Sequence, residues 1–363
     1  MARIFISPSK YVQGPGELAR IGEYVGAYGS RALVIISAGG LRRSGDEISA
    51  SFSAAGVELT YDNFNGECSQ AEIDRLVAVA RDCGADVVVG VGGGKILDTA
   101  KAVANAADAP VVIVPTIAAT DAPCSALSVV YTDEGQFKEY QFFKQNPNLV
   151  LMDTDVIAAS PVRLTVSGMG DALATFFEAR ACLRSDATTC AGGHVTSAAM
   201  ALARLCYETL MSDGLKARLA LEAGACTESV EKVIEANTLL SGLGFESAGL
   251  AGAHAIHNGL TALPETHAYY HGEKVAFGTL TQLVLENADE LYEVLDFCVE
   301  VGLPVTFAQL GVEDASYERV LEVARLACAP DDTLGNMPFE VTPEKVAAAM
   351  LAADAYGRAA LAE

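Results

Sequence analysis

An apolar run that ends in consecutive glycines and leads into a helix constrains this chain more than any other feature. Residues 86–95 (Asp-Val-Val-Val-Gly-Val-Gly-Gly-Gly-Lys) have the pattern of a buried strand and a glycine turn, and residues 96–101 have that of a helix start. Glycine lets an anion approach the bare backbone, and the first N–H groups of the helix point at it. The pattern therefore predicts an α/β unit with a phosphate site.

The spacing of the glycine turn excludes two common phosphate motifs. A Walker A loop needs Ser or Thr after its lysine and a glycine five positions before its second glycine, but Ile96 follows Lys95 and Val89 precedes Gly94 at that spacing. A Rossmann fingerprint needs a third glycine where Lys95 stands. Either the segment is a plain tight turn, or it cradles a phosphate that Lys95 neutralises, with Asp98 placed to accept from a hydroxyl or an amide.

The remaining pattern divides the chain in two. Strands are predicted at 31–37, 57–61, 87–91 and 111–115, helices at 69–83 and 95–107, and a hairpin at 127–132 and 136–143 around the turn Asp133-Glu134-Gly135. Strand–helix alternation is typical of a parallel sheet covered on both faces. After about residue 160 the strand signals fade, and stretches rich in Ala, Leu and Glu predict an all-α domain. We expect an α/β domain at 1–160 and a helical domain at 161–363.

Composition narrows the class of partner. The net charge of −23 opposes binding to nucleic acid and to anionic membranes. No apolar run reaches the roughly 18 residues of a membrane span, and the start lacks the apolar stretch of a secretory signal. The nine cysteines include no Cys-x-x-Cys pair. We therefore expect a cytoplasmic protein that handles a small molecule.

A second polar segment follows the strand predicted at 111–115. Thr116, Thr120, Asp121 and Ser125 supply hydroxyl groups and one carboxylate. Because ligands bind at the carboxyl ends of strands in α/β sheets, this segment is a candidate part of the site. A solvated loop with an Asx turn is the alternative.

Histidine is scarce and clustered. Of the five histidines, four fall between positions 254 and 271, namely His254, His257, His267 and His271. Residues 251–258 are predicted to be helical, with His254 and His257 on adjacent turns, and His271 begins the next element after the Pro264 break. The spacing is compatible with a metal site and also with buried or surface imidazoles.

Asp171 offers the carboxylate that a divalent-metal site usually includes. It follows Gly168-Met-Gly170 in an otherwise apolar stretch, and this predicts a helix start at Asp171. Aspartate after glycine is also a common N-cap, so a purely structural role stays open.

Together these segments resemble the iron-containing (group III) alcohol dehydrogenases, and most closely their glycerol-specific branch. The resemblance runs nearly end to end, from residues 5–14 to residues 303–306. Its specific blocks are residues 92–101, 120–128, 168–175, 254–259 and 271–278.

The resemblance implies a dinucleotide-binding α/β domain, an all-α catalytic domain and catalysis in the cleft between them. It implies that Asp171, His254 and His271 hold the metal, which is zinc in the glycerol-specific branch, and that they contact the substrate beside Asp121. The cofactor contacts that it implies are Gly94, Lys95, Asp98, Thr116, Ser125, Leu127 and Tyr131. The expected reaction is the reversible oxidation of glycerol or a small 1,2-diol at the secondary alcohol, giving dihydroxyacetone from glycerol. Homo-oligomers, often octamers, are typical of the family.

Two positions depart from the family pattern. Relatives that use iron commonly have a further histidine four residues after the metal-binding aspartate, where this chain has Thr175. Three protein ligands leave an open position, which favours zinc over Fe²⁺. The family usually has Asp at position 37, where it binds the adenosine ribose, but this chain has Ser37 with Arg42 and Arg43 close by. We expect NAD as the cofactor and leave NADP open.

Three alternatives are weighed against the dehydrogenase. A lyase of the same fold, like dehydroquinate synthase, and a glycerol-1-phosphate dehydrogenase both act on phosphorylated substrates, which call for several Lys and Arg near the metal. In the segments around Asp171, His254 and His271, the main basic residue is Lys274. A non-catalytic metal-binding or nucleotide-sensing protein has no need of a set of metal ligands in the cleft. All three are disfavoured.

Overall fold

A computed structural model describes residues 2–133 and 135–362 as two compact units. The first comprises residues 7–118 and 122–161, and the second comprises residues 2–6, 119–121 and 162–362. The strands are β1 Tyr11–Gly14, β2 Arg31–Ile36, β3 Glu58–Asn63, β4 Val87–Gly92, β5 Val111–Pro115, β6 Leu127–Tyr131, β7 Phe137–Phe142 and β8 Leu149–Asp153. The helices are α1 Ile21–Val25, α2 Ala38–Ala55, α3 Gln70–Asp82, α4 Gly94–Ala107, α5 Thr154–Ala158, α6 Val162–Ser185, α7 Ser197–Glu222, α8 Glu228–Glu235, α9 Ser241–Ala248, α10 Gly252–Leu260, α11 His271–Glu286, α12 Leu291–Val301, α13 Tyr317–Ala327 and α14 Pro343–Ala360.

The first unit is built on a parallel sheet in the order β1-β8-β5-β4-β2-β3. Its central strands are β-branched and buried on both faces, as a parallel sheet between helices requires. One face packs Val34 and Val89 against Ile48 and Phe52 of α2 in a continuous apolar core. Because the strands are parallel, their carboxyl ends lie at one edge, where a ligand binds in such sheets.

The predicted fold class is confirmed, and the predicted strands lie within two residues of their observed bounds. Two sheet strands were not predicted. β1 is a four-residue edge strand that is only partly buried, and β8 is a five-residue run without alternation. Each is too short to show a periodicity, and each is defined by its partner strand instead.

The predicted hairpin is present as the antiparallel pair β6–β7, which forms a two-stranded sheet of its own. A bulge between Val130 and Tyr131 shifts its register. Glu134 of the predicted turn lies outside the described residues.

The second unit is helical, as predicted, and its helices α6 and α11 pack backbone against backbone. A Cβ on Gly170 would collide with the carbonyl of Gly272, and a Cβ on Gly272 would collide with the backbone of Ser167. Glycine is therefore required here by close approach rather than by a turn. None of the described helices is both long enough and apolar enough to cross a membrane.

The helix start predicted at Asp171 is wrong. Asp171 lies well inside α6, which begins at Val162. The glycines at 168 and 170 suggested that a helix is interrupted there, but both lie inside α6, and Gly170 lets α11 approach. Asp171 is consequently not an N-cap, and its carboxylate is held inside the helical unit with no exposed surface.

Candidate active site

Three predicted ligand residues converge in the helical unit. Asp171 projects from α6, His254 from the first turn of α10, and His271 is the first residue of α11. Asp171 Oδ1 lies 3.3 Å from His254 Nε2 and 3.0 Å from His271 Nε2, and all three atoms lie within 4.8 Å of one another. We call these residues the ligand cluster.

The ligand cluster fits a small divalent ion. Bonds of about 2.0–2.2 Å in tetrahedral geometry place ligand atoms roughly 3.3–3.6 Å apart, close to the distances seen. Asp171 Oδ1 is fully buried and makes no hydrogen bond of normal geometry within the described residues. A buried carboxylate oxygen in that position is costly unless a cation satisfies it. One oxygen and two imidazole nitrogens suit zinc and also Fe²⁺.

Glu178 fixes the orientation of His254. His254 Nδ1 lies 2.6 Å from Glu178 Oε2, while Glu178 Oε1 accepts from the backbone N–H groups of Ala251 and His254 at 2.8 and 3.0 Å. The carboxylate is fully buried. It therefore fixes a proton on Nδ1, so that Nε2 is the nitrogen that would bind a metal.

A chain of hydrogen bonds performs the same task for His271. His271 Nδ1 lies 3.1 Å from His257 Nε2, His257 Nδ1 lies 3.1 Å from Asn258 Oδ1, and the Asn258 amide donates to Asp332 at 3.0 Å. The arrangement is consistent only when His271 carries its proton on Nδ1. His257 thus contacts a candidate ligand, whereas His267 contacts the Thr261 carbonyl at 2.8 Å on the surface.

The charges of the site favour a cation. Burial by itself raises the pKa of Asp171, but the imidazoles of His271 and His254 outweigh it and hold that pKa well below its usual value. Burial lowers the pKa of His254, and the Glu178 and Asp171 carboxylates reverse this, so the net shift is strongly upward. Burial and the neighbouring His271 hold the pKa of His257 well below its usual range. An imidazole is neutral when it binds a metal. The buried carboxylates of Asp171 and Glu178 would then be balanced by the charge of the bound cation.

Asp121 is joined to the ligand cluster by its own backbone. Its N–H donates to Asp171 Oδ2 at 3.2 Å, and its Oδ2 accepts from Ser241 Oγ at 2.7 Å. Thr175 Oγ1 lies 2.8 Å from the same Ser241 hydroxyl. Burial, followed by the nearby Asp171 carboxylate, raises the pKa of Asp121 well above its usual value. Ser241 thereby engages one carboxyl oxygen of Asp121.

Two residues of this site were not predicted from sequence. Glu178 was identifiable because Asp171, Thr175 and Glu178 are spaced i, i+4 and i+7 and so share one face of α6. Ser241 carried no such signal. It follows the π-helical turn Ala236–Leu240, which changes the register of the helix before α9.

The glycine turn of the sheet unit forms an open helix N-terminus. Gly93 is the N-cap of α4, and a Cβ on Gly94 would meet no atom within 4 Å. A Cβ on Gly90 would instead lie 2.6 Å from Ala100 Cβ, so this glycine lets α4 pack on β4. Thr116 lies beside the turn because its N–H donates to the Gly92 carbonyl at 3.0 Å. Backbone donors are thus exposed where a phosphate would bind.

The charged residues of α4 have different surroundings. Lys95 is half-exposed, pairs with Glu67 at 2.6 Å and lies 5.3 Å from the centre of the Tyr131 ring. Asp98 is buried, forms an ion pair with Lys101 at 2.9 Å and accepts from the Val129 N–H at 3.0 Å. Lys95 is accessible to a ligand, whereas the Asp98 carboxylate contacts other residues of the protein.

Lys101 was not predicted to have a role. Its side chain is 2% exposed, and its Nζ donates to the carbonyls of Ala122 and Leu127 at 3.0 and 2.6 Å. The Ser125 hydroxyl lies 3.3 Å from the same Nζ. Lys101 therefore fixes the loop that carries Ser125 and Leu127, two of the predicted cofactor contacts.

Ser37 marks the carboxyl end of β2. It lies outside the strand, as the N-cap of α2, and its Oγ accepts from the Gly40 N–H at 3.1 Å. β2 is the neighbour of β4 in the sheet, with Ile36 paired to Val91.

Comparisons with known proteins agree with this architecture. Residues 8–154 match the family model described as iron-containing alcohol dehydrogenase. The chain is 52% identical over 364 residues to glycerol dehydrogenase from Citrobacter freundii, with both chains covered in full. The chain belongs to the iron-containing alcohol dehydrogenase family.

Further relatives show the range within this family. A protein from Halobacterium salinarum named glycolaldehyde reductase is 48% identical over 360 residues, covering 99% of each chain. The crystal structure of glycerol dehydrogenase from Schizosaccharomyces pombe superposes with a TM-score of 0.95 at 43% identity, covering 99% of this chain and 92% of that one. The fold and the family are common to all of them, while their named substrates differ.

Proposed function

We propose that this iron-containing alcohol dehydrogenase family member is an NAD-dependent glycerol dehydrogenase. It would oxidise glycerol and small 1,2-diols reversibly at the secondary alcohol, giving dihydroxyacetone from glycerol, with zinc as the metal. The observation that carries the proposal is the ligand cluster with Asp121 directly beside it. The similarity to glycerol dehydrogenases over the whole chain supports the choice of substrate.

Asp171, His254 and His271 would hold the metal in the helical unit. A divalent ion bound there supplies Lewis acidity that lowers the pKa of an alcohol, and the nicotinamide supplies the hydride acceptor. Glu178 and His257 would keep both Nε2 atoms available to such an ion by holding the protons on the Nδ1 atoms. Gly94, Lys95 and Thr116 are proposed to bind the cofactor at the glycine turn.

Asp121 is proposed to select the polyol. Because Ser241 already donates to its Oδ2, the other carboxyl oxygen would be the one to accept from a substrate hydroxyl. A terminal hydroxyl next to the reacting alcohol would make this hydrogen bond, and a simple secondary alcohol lacks it. Hydrogen bonds to a carboxylate contribute about 1.5–3 kcal/mol, enough for roughly tenfold or greater preference.

The test is reduction of NAD by glycerol, followed by the absorbance of the reduced nicotinamide, before and after treatment with a chelator. We expect turnover that the chelator abolishes and added Zn²⁺ restores, with one metal per chain by elemental analysis. Failure to reduce the cofactor with glycerol or any small diol would refute the dehydrogenase. Turnover that survives complete metal removal would refute the metal's role.

Reduction of a small hydroxyaldehyde is the second candidate. The relative named glycolaldehyde reductase is 48% identical and supports this substrate class for the same site. Comparing kcat/KM for glycerol oxidation with that for glycolaldehyde reduction separates the two, because the better substrate identifies the reaction to which the site is fitted.

A further inference from the structure

The adenosine end of the dinucleotide site departs from the usual pattern. In dinucleotide-binding sheets the ribose lies at the carboxyl end of the strand beside the phosphate turn, where an acidic residue binds its 2′-hydroxyl. β2 is that strand here, because Ile36 pairs with Val91 immediately before the glycine turn. The residue after Ile36 is Ser37, so the carboxylate that would repel a 2′-phosphate is replaced by a hydroxyl.

Three donor groups converge beside this strand end. A Cβ built on Gly39 would lie 3.4 Å from Arg43 Nη1, 3.7 Å from Arg42 Nη2 and 4.0 Å from Ser37 Oγ. The glycine therefore leaves open the space next to two guanidinium groups and a hydroxyl. The Ser37 hydroxyl accepts from the Gly40 N–H, and its own hydrogen can point to a ligand.

No described residue neutralises the charges of Arg42 and Arg43 through an ion pair. Asp46 and Glu47 follow one turn later on α2, at helical salt-bridge spacing, yet neither arginine forms an ion pair with any described residue. On the neighbouring strand β3, Asp62 is already paired with Arg75 at 2.7 Å. Both arginines are exposed, so their guanidinium groups are accessible to an anionic ligand although the chain has a net charge of −23.

We propose that Ser37, Arg42 and Arg43 bind the 2′-phosphate of NADP, so that the chain uses NADP as well as NAD. Guanidinium groups match the oxygens of a phosphate and bind it through paired, charge-assisted hydrogen bonds. The inference rests on the proposed function only in requiring that the sheet unit binds a nicotinamide dinucleotide. It adds a phosphate site that a strictly NAD-dependent member would not need.

A binding measurement tests the site without turnover. Adenosine 2′,5′-bisphosphate and adenosine 5′-phosphate differ only by the 2′-phosphate, and isothermal titration gives the dissociation constant of each. We expect the bisphosphate to bind about 10- to 100-fold more tightly, the range for one or two hydrogen bonds to a charged group. Equal affinity for the two nucleotides would overturn the proposal.

Variants locate the effect. The double variant Arg42→Gln/Arg43→Gln and the single variant Ser37→Asp should each remove most of the preference for the bisphosphate. Arg81→Gln makes the same charge change at an exposed position of α3 and should keep it. If Arg81→Gln weakens bisphosphate binding as much as an Arg42 or Arg43 single variant does, long-range charge explains the preference and the site is refuted.

Kinetics with the intact enzyme complete the test. The ratio of kcat/KM with NADP to kcat/KM with NAD should fall by about tenfold or more in the double arginine variant and in Ser37→Asp. An unchanged ratio contradicts the 2′-phosphate site even if the protein oxidises glycerol. Absence of turnover with either cofactor contradicts the proposed function instead, while the nucleotide titration still decides the phosphate site.

Discussion

At the scale of single residues, each imidazole of the ligand cluster is held by a buried neighbour outside the cluster. Glu178 holds His254 through Nδ1, and His257 holds His271 in the same way, so both Nε2 atoms converge on Asp171 Oδ1. Ser241 holds one carboxyl oxygen of Asp121. The direction of each reactive atom is therefore fixed by a buried partner.

Glu178→Gln should weaken metal binding by about 10- to 100-fold, because the amide cannot hold the proton on His254 Nδ1 as the carboxylate does. Competition with a fluorescent chelator measures the affinity. Glu286→Gln is the matched control, since Glu286 is also buried on a helix of this unit but pairs with Arg180. Equal metal affinity in Glu178→Gln and wild type would show that Glu178 only packs.

Ser241→Ala should raise the KM for glycerol roughly tenfold and affect a simple secondary alcohol much less, because Asp121 loses the donor that orients it. Steady-state kinetics with both alcohols measure the difference, and Ser241→Thr should restore most of it. Ser247→Ala serves as the control. It removes another buried hydroxyl of α9, which donates a hydrogen bond to the Ile6 carbonyl and not to Asp121. Equal losses for both alcohols would contradict the role of Ser241.

At the scale of elements, two helix contacts determine where the reactive groups lie. In the helical unit, α6 and α11 approach closely enough at Gly170 and Gly272 to bring Asp171 against His271. In the sheet unit, Gly90 lets α4 lie on β4, and Lys101 then ties α4 to the loop after β5. Small residues and one buried lysine thus set the geometry of both candidate sites.

Gly272→Ala should destabilise the protein by about 1–3 kcal/mol or more and reduce its metal content, because the added methyl group meets the Ser167 backbone. Thermal unfolding and elemental analysis measure the two effects. At Gly335 a Cβ would meet nothing within 4 Å, so Gly335→Ala should change neither. Normal Tm and metal content in Gly272→Ala would mean that the helices can separate without cost.

At the scale of the whole molecule, each proposed ligand has its own unit. The sheet unit contains the glycine turn and the proposed cofactor contacts, and the helical unit contains the ligand cluster and Asp121. Asp121 belongs to the helical unit although it lies in sequence between two proposed cofactor contacts, Thr116 and Ser125. The polar loop after β5 therefore contributes to both units.

Metal removal should lower the Tm of the protein. An ion that binds only the folded state stabilises it by about 2.7 kcal/mol when present at 100 times its dissociation constant. Differential scanning calorimetry with chelator and with added Zn²⁺ measures the shift. His271→Ala should abolish it, whereas His267→Ala should retain it because that imidazole is exposed and bonded to a backbone carbonyl. An equal shift in both variants would place the stabilising ion elsewhere.

The sequence by itself determined the fold class and the glycine turn, because strand periodicity, consecutive glycines and helix starts are local signals. It also indicated Asp171, His254 and His271, through the scarcity of histidine and the resemblance to a family. It misplaced the start of α6, because glycine has the same local signature whether it ends a helix or lets another helix approach.

Only the tertiary structure decided which side chains act together. Glu178 gains its role from partners 73 and 76 positions away in sequence, Ser241 from a partner 120 positions away, and Lys101 from carbonyls 21 and 26 positions away. The two guanidinium groups beside Gly39 likewise converge only once α2 has formed after β2. Hydrogen bonding and charge pairing act over a few ångströms in space, and local sequence does not encode which distant segments meet at that distance.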